Sequence, residues 1–236
     1  MTVMDDRFTL ELKALCEAGG IPITEMQLDQ MNVYYDRLRD ENEKYNLTAL
    51  RTPEEAALKH FYDSIVPYSR IPDGASLVDV GSGGGFPGVP LKIMRPDLTV
   101  TALEASGKKC AFIEQAARAA GVEVKTINGR AEEEAVGPRR ESFDVLTARA
   151  VAALPVLIEI TSPLVRQGGM LLYYKADYQE ELEAAQDGMA KLQLRFEQAL
   201  PLPSGGLAHF VLLFSKLQPA PGEYPRRYAQ IKKRPL

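Results

Sequence analysis

The chain has 236 residues, 45% hydrophobic and 25% charged, with a formal net charge of −4. That length and balance suit one large globular domain with a modest extension, and exclude disordered, fibrous and collagen-like chains. The negative charge argues against a dedicated nucleic-acid binder, and no apolar run approaches the roughly 20 residues of a membrane span.

The N-terminus carries Asp5, Asp6 and Glu11 in place of the basic, apolar and small-residue pattern of a secretion signal. Cys16 and Cys110 lack metal-ligand spacing, so a reduced, cytoplasmic compartment without a metal site is expected. A first helix is predicted over residues 8–17, stopped by Gly19-Gly20. Thr24 with Gln27 forms a capping box, followed by Leu28, Met31, Tyr35 and Leu38 at helical spacing. Asn46-Leu47-Thr48 matches a glycosylation acceptor formally and is read as a helix-ending turn. Thr52, Pro53 and Glu55 then start another helix, with Ala57, Leu58, Phe61 and Ile65 as its apolar face.

After Pro72-Asp73-Gly74 the pattern changes to alternating strands and helices. Strands are predicted over 77–80, 99–103, 123–127, 143–147, 170–175 and His209–Lys216, with helices over 87–95, 108–120, 151–165 and 179–191. Such alternation predicts a mainly parallel, doubly wound α/β sheet. Residues 192–202 and 208–217, separated by Pro203-Ser204-Gly205-Gly206, read as a hairpin on its edge. The expected organisation is a helical extension over 1–70, a sheet domain over 71–218 and a basic tail over 219–236. Arg226, Arg227, Lys232, Lys233 and Arg234 follow Pro225 with no acid among them, leaving −9 for the rest of the chain. A basic tail on an acidic body suits local contact with a polyanion.

The stretch 77–88, LVDVGSGGGFPG, carries the most chemistry. An apolar strand running into glycines at Gly81, Gly83 and Gly85 brings bare backbone up to a nucleotide-like ligand. Gly83-x-Gly85-x-x-Gly88 also satisfies the dinucleotide pattern, so the glycines leave NAD open. Asp79 just before the loop would repel a pyrophosphate but meet an amino-bearing ligand through the loop's own hydrogen bonds. Phe86-Pro87 sits where a phosphate-binding helix needs free N–H groups, and proline has none. Glu104, closing the second strand, suits ribose hydroxyls in either case, and Ala131-Glu132 after the third strand could read an adenine edge. An adenosine bearing an amino acid but no phosphates, S-adenosylmethionine, fits this set better than NAD.

Catalytic machinery is sparse. The fourth strand ends in Thr147-Ala148-Arg149-Ala150, without the Asn/Asp-Pro-Pro-aromatic box usual in methylases of exocyclic amines. Cys110 reads as a packing residue, and His60 and His209 are expected outside the cleft, on the helical extension and inside a strand. No catalytic residue is therefore assigned. An aromatic ring nitrogen such as guanine N7 attacks without losing a proton, so this poverty favours that acceptor class. Arg149 stands at the strand mouth, placed for the cofactor carboxylate or an incoming nucleotide, or for an ion pair with Asp144 or Glu104.

Five motifs occur in order: Tyr45-Asn46-Leu47-Thr48-Ala49, Lys59-His60-Phe61-Tyr62-Asp63-Ser64, Val78-Asp79-Val80-Gly81-Ser82-Gly83-Gly84-Gly85-Phe86-Pro87-Gly88, Arg130-Ala131-Glu132 and Thr147-Ala148-Arg149-Ala150-Val151. Together they resemble the RsmG (GidB) family of bacterial small-subunit ribosomal RNA guanine methyltransferases. The resemblance implies a class I S-adenosylmethionine-dependent methyltransferase fold: a Rossmann-like, mainly parallel seven-stranded sheet with an antiparallel C-terminal hairpin, plus an N-terminal helical extension. It also implies methylation of N7 of guanine 527 in the decoding-region loop of 16S rRNA. Gly81 and Phe86 would line the methionine and adenosine site, Ala131 and Glu132 the adenine, and Arg149 the inner cleft, while Glu104 as ribose ligand follows the broader class.

The chain departs from the family twice. Tyr224-Pro225-Arg226-Arg227 leads into Tyr228-Ala229-Gln230-Ile231 without the usual proline–glycine turn, and Tyr174-Lys175-Ala176 replaces a common Leu-Lys-Gly. Lys175, Arg226, Arg227, Lys232 and Lys233 are the expected contacts to 16S rRNA in the small ribosomal subunit, reached by a monomer. The competing classes are an NAD-dependent oxidoreductase and a ribosome-assembly factor without catalysis.

Overall fold

The computed structural model describes residues 6–45, 52–203 and 208–236. Helix α1 (Asp6–Ala18) leads to α2 (Glu25–Tyr45). The capping box before α2 forms: Thr24 N–H donates to Gln27 Oε1 (2.9 Å) and Gln27 N–H to Thr24 Oγ1 (3.2 Å). Thr52 likewise accepts from Glu55 N–H at the start of α3 (Pro53–Ala56). The helix then widens into π-type turns over Ala57–Tyr62 before closing as α4 (Asp63–Ile65). The predicted turn at Asn46-Leu47-Thr48 and the Ser204-Gly205-Gly206 bend lie outside the described residues.

The sheet region follows as β1 (Ser76–Val80), α5 (Gly88–Met94), β2 (Thr99–Glu104), α6 (Gly107–Ala119), β3 (Lys125–Asn128), α7 (Ala131–Glu134) and β4 (Phe143–Arg149). It continues through α8 (Leu154–Thr161), β5 (Val165–Lys175), α9 (Gln179–Ala184), α10 (Gln186–Lys191), β6 (Leu194–Leu202), β7 (His209–Lys216) and α11 (Tyr228–Lys233). Seven strands lie in the order β3-β2-β1-β4-β5-β7-β6, with β1 to β5 parallel and β7 antiparallel to both β5 and β6. The helix expected over 151–165 is shorter, because Ala150 takes φ 56° and the chain enters α8 only at Leu154. The single helix expected over 179–191 is divided at Ala185 into α9 and α10.

Strand side chains alternate between two cores, as a sheet covered on both faces requires. Leu172 and Tyr174 of β5 face one core, Leu171 and Tyr173 the other. Helices α7 and α8 cover the second face. On the first, α1, α2 and the π-type segment bring Phe8, Leu12, Met31, Tyr34 and Phe61 into the same core as Val145, Leu172 and Val211. The N-terminal helices therefore complete the sheet's burial and share its hydrophobic core. The strand order reverses between β1 and β4, which places the crevice for a ligand over their carboxyl ends. No helix of the described residues is long and apolar enough to cross a membrane.

The C-terminal segment is clamped to the body. Arg226 meets Glu159 of α8 through Nε–Oε1 (2.8 Å) and Nη2–Oε2 (2.6 Å), and its backbone N–H also donates to Oε1. Glu159 is fully buried. Arg140 donates to the carbonyls of Ala220 and Tyr224, and Ile231 of α11 is buried. The expectation that Arg226 faces RNA is thus corrected, because its fork is spent on a buried carboxylate. Arg227, Lys232 and Lys233 remain exposed. Arg226→Ala would strand the Glu159 charge and is expected to cost about 3–5 kcal/mol of unfolding free energy. Lys232→Ala should change it by less than about 0.5 kcal/mol, and urea melts of the two variants compare them directly.

Candidate active site

The loop after β1 is built around a buried carboxylate. Asp79 faces Thr147 of β4 across the parallel pair, and its Oδ1 accepts from Thr147 Oγ1 (2.9 Å). Its Oδ2 accepts from Gly88 N–H (3.1 Å), the first residue of α5. A Cβ on Gly88 would sit 3.0 Å from this carboxylate, so the helix start needs glycine to come this close. Burial lifts the Asp79 pKa to about 6, against the pull of these hydrogen bonds. Asp79, expected to meet the ligand, instead braces the loop from behind: it is fully buried and its oxygens are aimed at β4 and α5.

The glycines of the loop serve different purposes. A Cβ on Gly85 would fall 2.1 Å from Tyr34 Oη, so that residue is set by packing against α2. A Cβ on Gly83 would meet nothing nearer than Gly81 O at 3.8 Å, so there the backbone opens onto free space. Glu104 lies alongside, its Oε2 accepting from Gly83 N–H (3.0 Å) and its Oε1 from Ser106 N–H (3.0 Å). A carboxylate has about four lone-pair sites, so both oxygens keep capacity for further donors.

Phe86 closes the loop by leaving it. Its ring enters the N-terminal helices, stacked on His60 at 4.8 Å and edge-on to Phe61 at 5.1 Å and Tyr34 at 6.1 Å. Tyr34 Oη also donates to Gly84 O (2.9 Å). The Arg149 guanidinium lies 5.4 Å from the Phe86 ring centroid and donates to Lys59 O and His60 Nδ1, both at 3.0 Å. A guanidinium has only donors, so Nδ1 accepts and the ring proton sits on Nε2. Burial and the neighbouring Arg149 push the His60 pKa down to about 3, keeping the ring neutral. Arg149 therefore pairs with neither Asp144 nor Glu104, and it captures the carbonyl just where the helix runs in π-type turns.

The loop and Arg149 border a cleft of about 860 Å³, whose lining leaves out Asp79, Gly85 and Glu104. Gly81 to Gly84 and Phe86 form one wall, while Arg149, Tyr174 and Lys175 enter from the ends of β4 and β5, and Lys109 from α6. His60 and Asp63 enter from the N-terminal helices and His209 from β7. Both histidines were expected outside the cleft; the structure places both in its lining, because the N-terminal helices lie over the half of the sheet that β7 also reaches. Lys175 is only partly available, since its Nζ donates to Ala152 O (2.9 Å) and pairs with Glu181 Oε2 (2.6 Å). Ala131 and Glu132 stand at the start of α7 and do not line this cleft, and Ala131 is buried in the second core.

Asp63 and Lys109 escaped the sequence reading. Asp63 lies within the quoted Lys59–Ser64 motif, three residues from His60, where a helix brings side chains to one face. Its pKa rises to about 6 through burial, partly offset by Arg149, His209 and Lys59. Cys110 is buried and its thiol raised by that burial, as a packing role requires. No group of three or more potential metal ligands occurs among the described residues.

The family model described as rRNA small subunit methyltransferase G matches residues 27–204. A protein of that name from Lactobacillus delbrueckii subsp. bulgaricus is 39% identical over 223 residues, covering 91% of this chain and 93% of the relative. Another from Acetivibrio thermocellus is 36% identical over 241 residues, covering 99% of this chain and all of the relative. Among solved structures, an O-methyltransferase from Bacillus cereus in complex with SAH superposes with a TM-score of 0.57 at 16% identity, covering 89% of this chain and 99% of that one. A TehB-like SAM-dependent methyltransferase from Corynebacterium glutamicum gives 0.51 at 15%, covering 78% and 96%.

The raised Asp63 pKa fixes the sign of a stability effect. Folding favours the protonated acid, so ionisation costs stability that starts to be lost above the unfolded value near 4 and is fully lost above about 6. Asp63→Asn should therefore leave the melting temperature unchanged at pH 4 and raise it by roughly 5–10 °C at pH 7.5, since about two pKa units amount to ~3 kcal/mol and each ~1 kcal/mol moves it about 2–4 °C in a domain of this size. Differential scanning calorimetry at the two pH values checks it.

Proposed function

The chain belongs to the rRNA small subunit methyltransferase G family, and on that premise we propose that it methylates N7 of guanine 527 of 16S rRNA, using S-adenosylmethionine. The observation that carries this reading is the cleft itself. It joins an open glycine backbone at Gly83, whose N–H donates to Glu104 just outside the lining, to a pocket walled by Arg149, His60 and Asp63.

The residues present fit the cofactor. Gly83 can accept close approach, Glu104 retains acceptor capacity for two ribose hydroxyls, and the loop offers backbone without phosphate-directed N–H groups at Pro87. When bound, S-adenosylmethionine supplies an electrophilic methyl group on a sulfonium. Arg149 stands between the loop and the acceptor half of the cleft, its cation held fixed by Lys59 O and His60. A neutral His60 whose Nδ1 is already engaged is a poor proton acceptor, and a guanine ring nitrogen needs none, because its lone pair is free. The work left to the protein is positioning and exclusion of water. Lys59 and Lys109 at the cleft, with the exposed Arg227, Lys232 and Lys233, are the cations proposed to meet the RNA phosphates. Against an oxidoreductase stands Pro87 at the α5 entrance, which removes a pyrophosphate donor.

Labelled methyl from S-adenosylmethionine is expected to enter small subunits isolated from a strain lacking this activity, with mass spectrometry locating it on N7 of guanine 527. Incorporation no greater than without enzyme would refute the reading. Arg149→Ala is expected to lower kcat/KM at least about tenfold through lost charge-assisted contacts, and activity equal to the parent would remove Arg149 from the site.

A further inference from the structure

Two buried polar atoms at the cleft are left over once its hydrogen bonds are assigned. His60 Nε2 and Asp63 Oδ1 have no partner among the described residues. Leaving such atoms unpaired inside a protein is costly, so a structure that does so at a ligand cleft holds them for something else. They are opposite in kind. With Nδ1 engaged by Arg149, His60 Nε2 carries a hydrogen and donates, whereas the Asp63 carboxylate accepts. Asp63 is 6% exposed, and it lines the cleft with His60 on one continuous helical run.

Their place in the fold separates them from the cofactor side. Glu104 lies at the end of β2, on the β3-β2-β1 half of the sheet. Asp63 belongs to the other half: Arg149 of β4 and His209 of β7 act on its charge, and Tyr174 of β5 donates to the carbonyl of the adjacent Ser64 (2.8 Å). A donor and an acceptor three residues apart on one helical run and lining one cleft complement the Watson–Crick edge of guanine, which presents an acceptor at O6 and donors at N1 and the 2-amino group. Adenine presents the reverse polarity at its C6 and N1 positions.

We propose that Asp63 is the residue that reads the acceptor base, its carboxylate taking the N1–H and 2-amino hydrogens of guanine while His60 Nε2–H donates to O6. This rests on the guanine reading of the acceptor given above. N7 lies on the Hoogsteen edge, around O6 from N1 and the 2-amino group. A guanine held by its Watson–Crick edge against Asp63 and His60 therefore leaves N7 uncovered for the methyl group. The purine becomes cationic as N7 is alkylated, and a fixed carboxylate at its far edge favours that charge.

The test uses the full-length enzyme and reconstituted small subunits carrying guanine or inosine at the target position, inosine lacking only the 2-amino group. The parent should prefer guanine by about 10- to 100-fold in kcat/KM, the value of a hydrogen bond to a charged group. Asp63→Asn should lose about as much on guanine and show a guanine-to-inosine ratio near one, with its Kd for S-adenosylhomocysteine unchanged and its melting temperature not lowered. An Asp63→Asn enzyme that keeps the parent's ratio overturns the assignment, as does one whose Kd for S-adenosylhomocysteine rises while the ratio stays. A parent that methylates no guanine of the subunit overturns the functional reading and this inference together. A parent active on guanine with an unaltered ratio in the variant overturns this inference alone.

Discussion

The insertion of the Phe86 ring into the N-terminal helices is the constraint on which the rest of the site depends. The ring leaves the glycine-rich loop and is 4% exposed among Tyr34, His60 and Phe61. Burying an aromatic side chain this completely contributes a few kcal/mol, about 2–3 by area. Tyr34 adds the hydrogen bond to Gly84 O, and Asp79 ties the loop's other flank to Thr147 and Gly88. Loop, α2 and the π-type turns thus become one unit, and the same aromatic contact fixes His60 where Arg149 can reach it. The helical extension has two tasks that follow from one packing event: it covers the open face of the sheet, and it supplies a wall of the cleft.

The two buried aspartates show how burial and satisfaction differ. Asp79 and Asp63 both have pKa values raised to about 6 by loss of water. Asp79 has a partner on each oxygen, and its role is complete within the protein. Asp63 has an oxygen without one and lines the cleft. Similar titration behaviour therefore accompanies opposite duties, and the hydrogen-bond inventory, more than the acidity, separates a brace from a reader.

Much of the architecture could be read from residue pattern. Caps at Thr24 and Thr52 start real helices, the strand-like runs lie in the sheet, and the glycine loop follows β1 at the carboxyl end of the parallel strands. What resisted reading was the destination of polar side chains. Arg226 counts as a free cation in a linear tally, since its partner Glu159 lies 67 residues away on a helix whose apolar pattern hides it. Asp79 sits at a strand position whose face depends on where β4 runs. His60 and Asp63 fall between the apolar positions of their helix, and the π-type widening there changes which residues point inward. Propensity and periodicity report local backbone choices; pairing across the fold is decided by tertiary distance.

The clamp between Arg226 and Glu159 also bears on how the chain matures during its own synthesis. Every described strand and every lining residue of the cleft precede residue 226, so during synthesis the sheet region emerges before the residue that neutralises Glu159. Until that segment docks, Glu159 lacks this counter-charge and Arg140 lacks the carbonyls of Ala220 and Tyr224. A chain cut short before residue 226 would carry the residues of the cleft on a body with an unneutralised charge in its core.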